Sequence, residues 1–323
     1  WLCPKANGRR SNRRWLRASC SASHLRVSAN GLDFEVEINE PANIVAGVGT
    51  PTVLLIMGLG MQLVAWPPAF IKALNDAGYR VLRLDNRDIG LSYKTTAPLP
   101  NLMWMALKFR LRLPIHADYT LREMVEDTRS VLDALGIARC HVIGVSMGGM
   151  IAQGLASHHP SRVLSLTSIM STTGARGLPQ ATPKATIALL SRPKSNQRDD
   201  IIEHFTKVLR VIGSPKYPMA EAEVRQRIGE AFDRSFYPAG TIKQLAAIMA
   251  TGDRSDEVRR ITAPTLVIHG RDDPLVPLKN GEDTAKKIAG SEYTVIDGMG
   301  HDLGVLPVLI ERLLPFLRKH TPA

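Results

Sequence analysis

Short, mostly apolar runs recur along this chain with helix-length segments between them. The runs are Thr52 to Met57, Arg80 to Asp85, Cys140 to Val145, Val163 to Met170, Thr265 to His269 and Tyr293 to Ile296. A strand buried on both faces reads this way, because covering helices leave no face for polar side chains. The intervening stretches carry helical spacing and helix punctuation. Pro67 to Ala77 stops at Gly78, and Thr120 opens a helix with Glu123 three residues on, a capping box that runs to Gly136. Met147 to His158, a stretch near Gly281 to Ile288, and Leu303 to His320 complete the set. Strand–helix alternation of this kind predicts an α/β fold with a mostly parallel central sheet flanked by helices. Ahead of it, Leu25 to Ile38 alternates around Asn30-Gly31, a dipeptide suited to a tight hairpin turn.

The alternation breaks once. Residues 172–258 show helical spacing interrupted by Gly and Pro clusters, with no convincing strand. An insertion after the strand near 163–170 falls at the carboxyl edge of the sheet, where open α/β folds bind ligands. It therefore reads as a helical cap over a site. The expected organisation is a core of residues 25–171 and 259–323, a cap of 172–258, and a basic, disordered extension over 1–24.

Charge sharpens the last boundary. The chain carries 41 basic and 30 acidic residues, a net charge of +11. Seven of the basic residues (Lys5, Arg9, Arg10, Arg13, Arg14, Arg17 and Arg26) fall in the first 26 positions, which contain no acid. The body of the chain is thus nearly balanced, which argues against nucleic acid as a partner. The extension lacks the continuous apolar stretch of a secretory signal, and no run of eighteen apolar residues predicts a membrane span. Cys3, Cys20 and Cys140 have no metal-type spacing, and Cys140 opens an apolar run, as a buried thiol does. A cytoplasmic protein without integral membrane contact is expected.

The sharpest chemical signal is Gly144-Val145-Ser146-Met147-Gly148-Gly149, set between a strand and a helix. A serine hydroxyl is a weak nucleophile and must be exposed beside a base. A tight strand-to-helix turn exposes it, and small neighbours prevent clashes in the bend. The same turn leaves the next amide at a helix N-terminus, facing any developing negative charge. His301, in Gly298-Met299-Gly300-His301, follows the last strand and falls at the sheet's carboxyl edge, so it is the expected base. His269 ends a strand and reads as buried structure. The orienting acid should follow another strand end, and His269-Gly270-Arg271-Asp272-Asp273-Pro274 offers two. Asp273, its backbone restricted by Pro274, is the expected acid, and Asp272 a turn former. Ser171-Thr172-Thr173, at the end of the 163–170 strand, contains no acid.

With these residues in place the sequence resembles the α/β-hydrolase superfamily over about residues 25–320. Within it the chain is similar to the branch of aclacinomycin methylesterase and related bacterial carboxylesterases. The matching residues are Met57-Gly58-Leu59-Gly60 with Trp66-Pro67, the run Asp85-Asn86-Arg87-Asp88-Ile89-Gly90-Leu91-Ser92, the turn at Ser146, and Gly298-Met299-Gly300-His301-Asp302-Leu303. Many relatives carry a His-Gly pair at the first of these; Met57 is a departure that this branch shares. The resemblance implies that the backbone amides of Leu59 and Met147 form an oxyanion hole, and that Asp85 to Ser92 is a structural turn. It implies a serine carboxylesterase acting on small to medium esters, with acyl transfer or C–C bond hydrolysis by the same groups as the alternative. A ligand-binding protein that has lost catalysis is a third possibility.

No cofactor is expected for such chemistry, and no metal motif of the His-Glu-x-x-His type occurs in the sequence. No Gly-x-Gly-x-x-Gly follows a strand, so a dinucleotide site has no support. Leu102 to Leu113 is apolar and basic with no acid, and reads as a packed helix, a lid element or a membrane-surface contact.

Overall fold

The computed structural model describes residues 22–42, 49–111 and 113–322. Among the described residues eight strands form one sheet in the order β1-β2-β4-β3-β5-β6-β7-β8. The first two, β1 (Ala22–Ala29) and β2 (Leu32–Asn39), form the hairpin that Asn30-Gly31 predicts. Both turn residues have positive φ, 51° and 73°, as a two-residue hairpin turn of this twist requires. The strand begins at Ala22, so Ser23 and His24 pair with Ile38 and Glu37 instead of belonging to the extension expected over 1–24. Residues 1–21 lie outside the described residues.

The parallel part comprises β3 (Thr52–Ile56), β4 (Arg80–Leu84), β5 (Cys140–Val145), β6 (Val163–Ile169), β7 (Thr265–Gly270) and β8 (Glu292–Ile296). Side chains alternate between its two faces. Leu54, Ile56 and Val142 join one core with Met124, Val131 and Ile151, while Val53, Leu55 and Ile143 join the other with Phe70, Leu74 and Leu313. The first core is covered by α3 (Leu121–Ala134) and α4 (Met147–His158), the second by α1 (Pro68–Asp76) and α11 (Leu306–Lys319). The Thr120–Glu123 capping box is present, and Gly78 and Gly136 close α1 and α3 with positive φ.

Two further elements complete the core. The apolar, basic segment forms α2 (Leu102–Arg110), and α10 (Lys279–Lys287) links β7 to β8. Between β6 and β7 the chain forms α5 (Pro183–Leu190), α6 (Arg198–Ile212), α7 (Glu221–Arg234), α8 (Pro238–Thr251) and α9 (Ser255–Arg259). Helix α5 packs on α6, α6 on α7, and α8 against α2 and α3. The last helix starts at Leu306 rather than Leu303, because Asp302 accepts the Gly304 N–H and holds a turn there.

Strand order reverses between β3 and β5: from β3 the chain moves to β4 on one side, and from β5 to β6 on the other. The carboxyl edge at such a switch point is where open α/β sheets bind ligands.

Candidate active site

Ser146 stands at that edge, between β5 and α4, at φ 55° and ψ −120°. Few side-chain-bearing residues adopt this conformation, and it turns the hydroxyl out of the bend. Its glycines are there for backbone contact. A Cβ on Gly144 would lie 2.2 Å from the Gly148 carbonyl oxygen, and one on Gly148 2.1 Å from that of Ile56. The turn is tied to the sheet, because the Ser146 N–H donates to Ile169 O at 2.9 Å and the Ser146 carbonyl accepts from Ser171 Oγ at 2.8 Å.

The structure brings the three expected side chains together. His301 Nε2 lies 3.1 Å from Ser146 Oγ, and its Nδ1 lies 2.7 Å from Asp273 Oδ2. Asp273 is buried, and its other oxygen accepts the amides of Leu275 and Val276 at 2.9 and 2.8 Å. A carboxylate so fixed accepts Nδ1–H and leaves Nε2 free to accept the serine proton. Asp272 faces away, exposed, and caps the neighbouring loop by accepting the Gly298 N–H at 2.8 Å. His269 is buried structure, as expected: its Nε2 is 2.7 Å from Val276 O, and burial pushes its pKa down.

The loop after β3 lies against the serine, where a Cβ on Gly58 would sit 3.2 Å from Ser146 Cβ. Gly60 N–H donates to Gln244 Oε1 at 2.9 Å, Gln244 Nε2 donates to Arg87 O at 2.9 Å, and Asn86 Nδ2 donates to Met57 O at 3.1 Å. Met147 opens α4, so its amide has no partner within the helix. Among the described residues neither Leu59 N–H nor Met147 N–H has an acceptor. Neither amide is thus committed to a hydrogen bond within the described protein.

Asp85 to Ser92 supports this loop from below. Buried Asp85 accepts the amides of Leu63 and Leu91 at 2.7 and 2.9 Å and pairs with Arg234 of α7 at 2.6 Å. Gly90, at φ 57°, is needed because a Cβ would fall 1.9 Å from Asp85 Oδ2. Burial raises the pKa of Asp88 in the same turn.

Sequence reasoning missed the contacts made by the segment between β6 and β7. Gln244 on α8 holds the loop after β3, and nothing in its local sequence distinguishes it. The turn after α6 braces the histidine: His301 N–H donates to Ile212 O at 2.7 Å, and Gly300 N–H to Ser214 Oγ at 2.9 Å. Asp302 accepts the Ser214 amide at 2.9 Å and its hydroxyl as well. A Cβ on Gly300 would meet the Gly213 carbonyl at 2.3 Å, which gives that glycine its reason. Among the described residues no group of three ligating side chains is placed to hold a metal ion.

A family profile described as the alpha/beta hydrolase fold matches residues 51–306. The chain belongs to the α/β-hydrolase family. Over 300 residues this α/β-hydrolase is 27% identical to a rhodomycin D methylesterase from a Streptomyces species, spanning 86% of this chain and 94% of that one. Over 286 residues it is 28% identical to a 2-hydroxy-6-oxononadienedioate/2-hydroxy-6-oxononatrienedioate hydrolase of Paraburkholderia phymatum, spanning 88% of this chain and 90% of that one. An enol-lactonase from Burkholderia xenovorans shares the fold with a TM-score of 0.68 at 22% identity, over 91% of this chain and 100% of that one. The expected resemblance to a methylesterase branch thus has direct counterparts among the relatives of this α/β-hydrolase. Among its described residues no helix is long and apolar enough to cross a membrane.

Proposed function

We propose that this α/β-hydrolase is a serine carboxylesterase that cleaves small to medium carboxylic esters through an acyl-enzyme on Ser146. The observation that carries the reading is the position of His301, within hydrogen-bond reach of both Ser146 Oγ and Asp273 Oδ2. In the first step His301 Nε2 takes the hydroxyl proton as Ser146 Oγ attacks the ester carbonyl. The Leu59 and Met147 amides hold the oxyanion, and Asp273 stabilises the imidazolium. Collapse expels the alcohol, which takes its proton from His301. Water, deprotonated by the same nitrogen, then releases the acid. Helices α5 to α9 act as a cap, since Gln244 and the 212–214 turn bring that segment to the edge of the site. The cap excludes water and shapes the acyl pocket. No cofactor enters the cycle, and the substrate is a small-molecule ester.

A second reading has support from the relatives named for 2-hydroxy-6-oxononadienedioate, in which the same groups would act on a ketone carbonyl with a carbon leaving group. One experiment separates the readings. Wild type and Ser146→Ala are assayed on p-nitrophenyl and methyl esters of graded acyl length and on a vinylogous 6-oxo acid, with a fluorophosphonate to label the nucleophile. Ester turnover lost in Ser146→Ala, with the label on the peptide containing Ser146, is the expected result. Turnover of the 6-oxo acid far above that of every ester would favour the second reading. Full activity in folded Ser146→Ala would overturn both.

A further inference from the structure

We propose that α2 and the residues just after it form a docking surface for an anionic lipid bilayer. A surface helix normally turns apolar side chains inward and polar ones outward. Helix α2 inverts this pattern. Met105 is buried against the protein, yet at 100° per residue the face opposite it carries Met103, Leu107 and Leu111 at i, i+4 and i+8, with Trp104 beside them. Met103 is 85% exposed and Trp104 54% exposed, and Leu107, Phe109 and Leu111 are exposed as well. An exposed apolar face of this kind calls for a cover that the described chain does not supply.

Charge identifies that cover. Residues 89–117 contain no Asp or Glu, and α2 and the residues just after it carry Lys108, Arg110 and Arg112. Lys108 lies over the Trp104 ring, its Nζ 5.6 Å from the centroid, which sets a cation beside an aromatic ring as at a membrane interface. A second copy docked through this face about a two-fold axis would bring two basic segments together, with no acid in either to pair with Lys108 and Arg110. An anionic bilayer satisfies both parts of the surface: its acyl region takes the apolar side chains, and its phosphates take the basic ones. The helix is secured for this use, with the Asn101 side chain accepting Trp104 N–H at 3.0 Å and Lys108 and Arg110 in its last turn. The inference does not depend on the chemistry assigned to Ser146.

The test is co-sedimentation of the full chain with vesicles of phosphatidylcholine alone or mixed with phosphatidylglycerol, at low and high salt. The wild type should bind the anionic vesicles in a salt-sensitive manner and bind the neutral ones far less. Lys108→Gln with Arg110→Gln should weaken that binding roughly thirtyfold. Met103→Ser with Trp104→Ser and Leu107→Ser should weaken it by about tenfold or more. Circular dichroism melts of both variants, unchanged from wild type, verify folding. Trp104 fluorescence should shift to the blue on binding, and Trp104→Phe should bind while losing that shift. Binding that persists unchanged in both multiple variants would place the attraction elsewhere, such as the basic residues 1–21, and overturn the proposal. Absence of wild-type binding would do the same. A dimer by sedimentation velocity that the serine variant dissociates would show a second copy on this face and overturn it too.

Discussion

Replacing Ser146 by glycine and by alanine separates the cost of its backbone conformation from the chemistry of its hydroxyl. Both variants lose the hydroxyl and its single side-chain contact, the 3.1 Å approach to His301 Nε2. They differ in whether a Cβ must sit at φ 55° and ψ −120°. Holding a non-glycine residue in so sparsely populated a region costs about 1–3 kcal/mol. Glycine removes that strain but brings more conformational freedom to the unfolded chain, a penalty of about 0.4–1 kcal/mol. The balance is about 1 kcal/mol in favour of Ser146→Gly over Ser146→Ala. In a domain of this size that corresponds to a melting temperature higher by roughly 2 °C. Differential scanning calorimetry of the two inactive variants under identical conditions reads it directly. If Ser146→Gly melts at or below Ser146→Ala, the turn is unstrained, and the account of why the hydroxyl is presented there is wrong.

Asp273→Asn should lower ester turnover by about 10⁴-fold by removing the acceptor that fixes the imidazole, whereas Asp272→Asn should cost no more than a few-fold; steady-state kinetics of both variants rank them. Gln244→Ala leaves Gly60 N–H without its buried acceptor, and should lower kcat by about tenfold with KM little changed, because only a transition-state contact is loosened. A chain beginning at Ala22 should retain the melting temperature of the full chain, whereas one beginning at Leu25 removes the pairing of Ala22, Ser23 and His24 with β2 and should melt lower by a few degrees. Alkylation followed by peptide mass spectrometry should find Cys140 unmodified in the native protein, since full burial pushes its thiol up to about 12.

What was legible in the sequence was whatever neighbouring residues decide. Asn30-Gly31 dictates a hairpin turn, Thr120 and Glu123 satisfy each other's groups, and glycines around Ser146 announce a bend too tight for side chains. Each of these needs only a few adjacent positions. The pairing of Asp273 with His301 was inferred from their places after strands, and the geometry agrees because parallel strands deliver their following loops to one edge. Contacts between distant segments left no such trace. Gln244 looks like any polar residue of a helix, yet its amide spans the loop after β3 and the carbonyl of Arg87. The start of β1 at Ala22 was missed because Ala22-Ser23-His24 has no apolar alternation of its own and is ordered by its partner strand. Helix α2 was ambiguous for the opposite reason: its composition gives no outward face, so periodicity could not choose one.

The hydrogen bond from His301 N–H to Ile212 O gives the inserted helices joint custody of the residue proposed to move the proton. A segment tethered there cannot swing away as a rigid flap without dragging the imidazole from Ser146 Oγ. If these helices cap the site as proposed, substrate enters by smaller displacements of individual helices, with the 212–214 corner held still. The same tether limits how the protein can be re-engineered. A graft of another family member's helices would need to reproduce the Ile212-Gly213-Ser214 corner to keep the histidine in place. Replacement of α7 and α8 would in turn have to keep Arg234 and Gln244, which hold Asp85 and the loop after β3.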